Sequence, residues 1–210
     1  MKSCCDNKEN ELRTLQQSQS QTLKIVLWIN LVMFFVEIIT GILSHSSALM
    51  ADSLDMLGDT VVYGFSLYVL TKSVRWRAGA ALLKGVLMST LGMSVLVSAA
   101  TKIFSPVIPV SQTMGLVGGL AFLANLICLL LLLKHRKDDL NMRSTWLCSR
   151  NDIIANLGVI LAAVCVNLTH SGYPDIIAGS VIALLVLSSS FGVLWDSFQQ
   201  LKKNKDGQLN

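Results

Sequence analysis

The sequence predicts an all-α membrane protein, with six transmembrane helices in one bundle and both termini cytoplasmic. Three observations lead there. Of 210 residues, 52% are hydrophobic and 14% charged, whereas soluble domains average about 25% charged. Six segments meet the requirement of about 20 largely apolar residues for a membrane-crossing helix. Lysine and arginine gather in alternate connections between those segments. The expected organisation is a polar cytoplasmic tail at 1–22, a six-helix transmembrane domain at 23–200 and a short cytoplasmic tail at 201–210.

The first span, 24–44, follows a tail of mixed charge that is unlike a cleavable signal peptide, so the span stays in the mature protein. The second, 48–71, begins after the short connection Ser44–Ser47. Lys72–Ala78 leads into the third, 79–102, and Ile103–Ser111, with Pro106 and Pro109, into the fourth, 112–133. The fifth, 145–168, follows Lys134–Ser144, and the sixth, 175–198, follows Thr169–Pro174. None of these connections has room for a soluble domain. Of the 17 Lys and Arg, 14 fall in residues 1–24, 72–77, 134–143 and the C-terminal tail, all on one side of a six-span topology. The other side carries only Lys102. The excess of positive charge marks the cytoplasmic side. The five cysteines show no extracellular disulfide framework, since three lie in apolar segments and Cys4 and Cys5 lie in the polar tail.

The second span is where chemistry is expected. It carries Asp52, Asp55 and Asp59, which fall within about 60° of one another on a helix, and Tyr63 continues the stripe. In the fifth span Cys148, Asp152 and Asn156 recur every fourth residue. An ionised carboxylate at mid-bilayer costs about 2.5–3.5 kcal/mol on insertion scales. A bound cation, a proton or a buried basic partner would offset it. Lys84 and Arg150 are the only basic residues inside spans, too few for all the acids. By helical rise, Asp59 and Asp152 share a depth, Asp55 is level with Asn156, and Cys148 lies one turn nearer the cytoplasm. Oxygen ligands with one thiolate suit a transition-type divalent cation better than Mg²⁺ or Ca²⁺. Ser89, Ser94, Ser98 and Asn125 are read instead as polar contacts between helices, and the glycines from Gly115 to Gly119 as a close helix contact.

These residues resemble the cation diffusion facilitators, six-span metal-ion/proton antiporters. The resemblance rests on Asn30, Glu37 and Gly41, on residues 44–60 (SHSSALMADSLDMLGDT), on 141–152 (NMRSTWLCSRND), and on Tyr173, Pro174, Asp175 and Gly179. It implies a tetrahedral metal site of Asp55, Asp59, Cys148 and Asp152, with Asp52, Asn156 and Glu37 as further candidates. The family usually has His or Asp where Cys148 stands, and Asn156, Asn151 or a water could substitute for that ligand. The family's C-terminal cytoplasmic domain is expected to be absent, and the loop between spans four and five holds only His135. A homodimer is implied. His45 and His170 are read as loop residues with exit-side ligation as the alternative, and Glu37 as lining a proton or metal path or as a packing group.

The expected function is efflux of a divalent metal by proton antiport, with Zn²⁺ the first expectation because four ligands with a thiolate suit its tetrahedral preference. Co²⁺, Cd²⁺, Fe²⁺ and Mn²⁺ are the alternatives. No tightly bound cofactor and no nucleic acid are expected; the partners are metal, protons and membrane lipid. Two rival functions use the same acids: a proton-coupled carrier of small organic cations, and a non-transporting membrane subunit. The first fits poorly with an aromatic content of 7%, since organic cations are commonly held in aromatic cages. No nucleophile–base set or nucleotide loop points to an enzyme. The absence of a transit peptide favours a bacterial inner membrane.

Overall fold

The computed structural model describes the backbone of residues 4–69, 74–104, 107–134 and 140–206; the side chains of 1–18, 65–66, 68–81, 84, 135–148, 150–151, 193, 196–197 and 200–210 lie outside the described residues. Six helices follow in order: α1 (Cys4–Leu43), α2 (Ser47–Val69), α3 (Val74–Phe104), α4 (Ser111–Leu133), α5 (Leu140–Thr169) and α6 (Tyr173–Asp206). Each expected span falls on one helix, and no strand occurs among the described residues. Five helices contain stretches long and apolar enough to cross a membrane: Gln19–Leu43, Gly85–Phe104, Ser111–Leu133, Asp152–Thr169 and Tyr173–Gly192. The sixth, α2, is as long as α4 at 23 residues. Its three aspartates set it apart.

Helix α2 is the hub. It touches each of the other five helices, whereas among the described residues α3 meets only α6 and α2, and α1 only α2 and α4. The main pairs are α1 with α2, α3 with α6, and α4 with α5. One core gathers Leu49, Leu54, Met88, Met114, Val159 and Ala183 from five helices. A second, smaller cluster joins Leu23 and Val26 to Tyr63, Cys128 and Leu132. Outward-facing positions are apolar too: Trp28, Phe35, Leu116, Leu161, Leu184 and Trp195 are exposed, as a lipid-facing surface requires. Gly118 serves the α4–α5 pair, where an added Cβ would come within 3.2 Å of Val159.

The connection between α1 and α2 is tied down at both ends. His45 takes a left-handed conformation (φ 55°), and the amide of Ser46 donates to Gly41 O at 2.9 Å, which closes α1 in a Schellman-type turn. His170 ends α5 with φ 50°. Both histidines therefore have a backbone task in ending a helix. The start of α2 leaves amides with no partner inside the helix, and a carboxylate from another helix takes them. Asp175 of α6 accepts from Ser47 N at 2.7 Å, Ala48 N at 3.0 Å and Ser46 Oγ at 2.6 Å. Negative charge at a helix N-terminus is favourable. Lys102 Nζ, from the end of α3, donates to His45 O at 2.7 Å and Ser47 Oγ at 2.8 Å. This joint requires α6 to approach the α2 backbone closely. Gly179 permits it, since a Cβ there would lie 2.5 Å from the Ser47 carbonyl carbon.

Two substitutions test the joint by thermal unfolding of the purified protein in detergent. Asp175→Ala strands buried donors and is expected to destabilise by about 1–3 kcal/mol. Gly179→Ala forces backbones apart and is expected to cost about 1–3 kcal/mol by overpacking. A midpoint unchanged in both variants would show that the joint carries no stability.

Candidate functional site

A cavity of about 620 Å³ lies between α2, α5 and α6. Asp55 and Asp59 line it from α2 and Asp152 from α5, with Ala155, Gly158, Ile182 and Val186 on its apolar walls. Asp59 and Asp152 are buried and Asp55 half-buried. The structure thus brings together three of the four residues in the expected site. The helical period explains the α2 pair, because residues four apart share a face. The α5 contribution depends on α2 and α5 being neighbours, which they are. Tyr63, one turn beyond Asp59, donates its hydroxyl to Asp59 Oδ2. That bond fixes the carboxylate at the cavity wall while the Tyr63 ring is buried in the smaller core cluster.

Cys148 belongs to α5, but its side chain lies outside the described residues, as do those of Asn151, Arg150 and Lys84. Among the described residues, no three His, Cys, Asp or Glu side chains are grouped closely enough to hold one ion. The three aspartates therefore share a cavity without forming a chelate in this arrangement.

The remaining candidates form a different group. The Nδ2 of Asn156 donates to both oxygens of Asp52, at 3.1 and 3.0 Å. Counting helical rise gives depth only, and the rotation of each helix decides which aspartate an asparagine meets. Asn125 of α4 donates in turn to Asn156 Oδ1 at 3.3 Å. Glu37 of α1 is fully buried, and the charged groups acting on it are Asp52 and, further off, Asp55. The Glu37 and Asp52 carboxyls lie close enough to share a hydrogen bond. Asp52, Asn156, Asn125 and Glu37 are all absent from the cavity lining. Asp55 and Asp59 thus line the cavity, whereas Asp52, a neighbour on the same stripe, is bonded to Asn156 of α5 and lies beside Glu37 of α1.

Sequence reasoning missed three participants. Asn125 was expected only to hold helices together, and a lone asparagine in an apolar helix carries no signal of what it meets. Ser188 and Ser189 line the cavity from α6, and nothing in their spacing ties them to α2. The capping role of Asp175 is invisible too, because its partners lie more than a hundred residues earlier in the chain.

Comparison with known proteins places the chain. Residues 23–202 match the family model described as the cation efflux transmembrane domain. The chain is 26% identical over 196 residues to the cadmium, cobalt and zinc/H(+)-K(+) antiporter of Bacillus subtilis (strain 168), covering 85% of this chain and 63% of that protein. It is 25% identical over 193 residues to the metal cation efflux system protein CzcD of Cupriavidus metallidurans, covering 86% of this chain and 61% of that one. To the zinc transporter ZitB of Yersinia pestis it is 26% identical over 208 residues, covering 93% and 67%. The chain spans a little over three-fifths of the length of the first two relatives. With a single family model covering all six helices and both groups of buried acids, the chain belongs to the cation efflux family of multi-pass membrane proteins.

Proposed function

We propose that this chain moves a divalent transition-metal ion out of the cytoplasm in exchange for protons, through the cavity between α2, α5 and α6. The observation that carries the reading is the convergence of Asp55, Asp59 and Asp152 on one cavity inside a helical bundle with an apolar exterior. Three carboxylates in a low-dielectric setting attract a small multivalent cation strongly. Protons compete for the same oxygens, so metal and proton occupy the site in alternation. That competition makes exchange obligatory. Relatives named as cadmium, cobalt and zinc/H(+)-K(+) antiporter and as zinc transporter support the same class of cargo. The cavity lining contains no aromatic residue among those described, which disfavours an organic cation.

The packing supports a route for alternating access. Among the described residues α3 meets only α6 and α2, so α3 and α6 form a pair that can shift against the remaining helices. The cavity lies on that boundary. Rocking of two bundles around a midplane site is the general transporter solution. Closure of α5 and α2 around the metal would draw Asp152 toward Asp55 and Asp59, with Cys148 as fourth ligand. Zn²⁺ is the first cargo proposed, with Co²⁺ and Cd²⁺ next and Fe²⁺ and Mn²⁺ favoured if Cys148 takes no part. The one-sided distribution of Lys and Arg supports cytoplasmic termini, and the bacterial relatives support an inner-membrane location.

Zinc flux into proteoliposomes under an imposed pH gradient tests the site. Asp59→Ala is expected to reduce flux to the protein-free background, and flux equal to that of the unmodified protein would remove Asp59 from the mechanism. A metal panel tests the fourth ligand. Cys148→Ser is expected to weaken Cd²⁺ and Zn²⁺ by about tenfold or more while sparing Mn²⁺, because thiolate selects soft ions. Equal weakening of all three metals would exclude selective ligation by the thiolate.

A further inference from the structure

We propose that Tyr63 is a specificity-determining positioning residue of the transport site. By holding one carboxylate oxygen of Asp59 it confines that ligand to a single metal bond, which favours four-coordinate Zn²⁺ over ions that require six or more oxygens. This role rests on the transport reading above, which makes Asp59 a ligand. Both residues belong to α2, one turn apart. Side chains on a helix lean toward its N-terminus, so the phenol reaches back over Asp59. Its hydroxyl donates to Asp59 Oδ2. Tyr63 is 1% exposed and is absent from the cavity lining, whereas Asp59 lines the cavity. The hydroxyl therefore meets the carboxylate from behind and supports a ligand without being one.

Packing makes the hold rigid. The Tyr63 ring sits in the smaller core cluster, among Leu23 and Val26 of α1 and Cys128 and Leu132 of α4. Next to it, Gly64 lets α1 come close, since an added Cβ would lie 3.3 Å from Leu27 Cδ1. A phenol wedged between three helices cannot follow Asp59 if the carboxylate turns. Presenting both Asp59 oxygens to one ion would break the bond to Oδ2, and a hydrogen bond to an ionised acceptor is among the stronger ones, more so away from water. Partners of this kind behind a ligand orient it and tune affinity for the metal. Tetrahedral zinc asks for four ligands in all. Calcium fills six to eight positions with oxygens, often taking both from one carboxylate, and Mn²⁺ takes an octahedron of them. Withdrawing one oxygen therefore falls hardest on the ions that need the most.

Tyr63→Phe keeps the buried ring and removes only the hydroxyl. Zn²⁺ and Mn²⁺ affinities are measured at one pH on the purified full-length chain in nanodiscs. A change in how Asp59 holds protons weakens both metals alike, so the ratio of the two affinities is the readout. The preference for Zn²⁺ over Mn²⁺ is expected to fall by about tenfold in Tyr63→Phe. A ratio equal to that of the unmodified protein overturns this role, whether both affinities stand or both fall together. Asp59→Asn separates the role from the reading on which it rests. Weakened binding of both metals in Asp59→Asn, with the ratio unchanged in Tyr63→Phe, overturns the selectivity role alone. Unaltered binding in Asp59→Asn overturns the site assignment and the role of Tyr63 with it. Should Tyr63→Phe fail to elute as a folded species, Co²⁺ bound to the unmodified protein decides. The strong visible bands of four-coordinate Co²⁺ are expected, and the weak bands of six-coordinate Co²⁺ overturn the role.

Discussion

Carboxylates inside a bilayer have no water to solvate them, and this governs how the six helices are arranged. Helix α2 carries three of them, so lipid cannot surround it. It is placed where every other helix touches it. The five apolar helices share the remaining work, presenting Trp28, Phe35, Leu161 and Leu184 outward and small or branched residues inward. In a membrane there is little hydrophobic drive between helices, so close fit and polar contacts hold the bundle together. The polar contacts found here converge on α2. Asp52 meets Asn156, Asp59 meets Tyr63, and the amides at the start of α2 meet Asp175.

The Asp175 joint and the cavity divide α2 into a fixed end and a working middle. At the fixed end, α2 is bound to α6 by three hydrogen bonds to one carboxylate and to α3 through Lys102. In the middle, the same α6 stands away from α2 far enough to leave a cavity of about 620 Å³. A pair of helices pinned at one end and parted further along can pivot. The motion proposed for transport needs that geometry.

Much of this was readable in the amino acids, and the limits follow from what a sequence encodes. The spans were legible because hydrocarbon thickness imposes a length, and the pairing of Asp55 with Asp59 because helical periodicity puts them on one face. The association of Asp59 with Asp152 was legible from depth alone. Depth gave no indication that Asn156 would bond Asp52, since the rotation of α5 about its axis is set by its packing against α4 and α2. The histidines at 45 and 170, read as loop residues, sit in left-handed helix-ending conformations that the sequence did not indicate.

By itself, the sequence determined a membrane protein of six helices with an acidic second helix, because composition, span length and periodicity are local properties of the chain. It also carried enough of a pattern to assign the family. Only the tertiary structure decided that Asp52 meets Asn156 and Glu37 instead of lining the cavity with Asp55 and Asp59, that Asn125 extends that contact, and that Asp175 caps a helix begun well over a hundred residues earlier. Those outcomes depend on how each helix is rotated and which neighbour it meets, and contacts between distant residues leave no local trace in the order of amino acids.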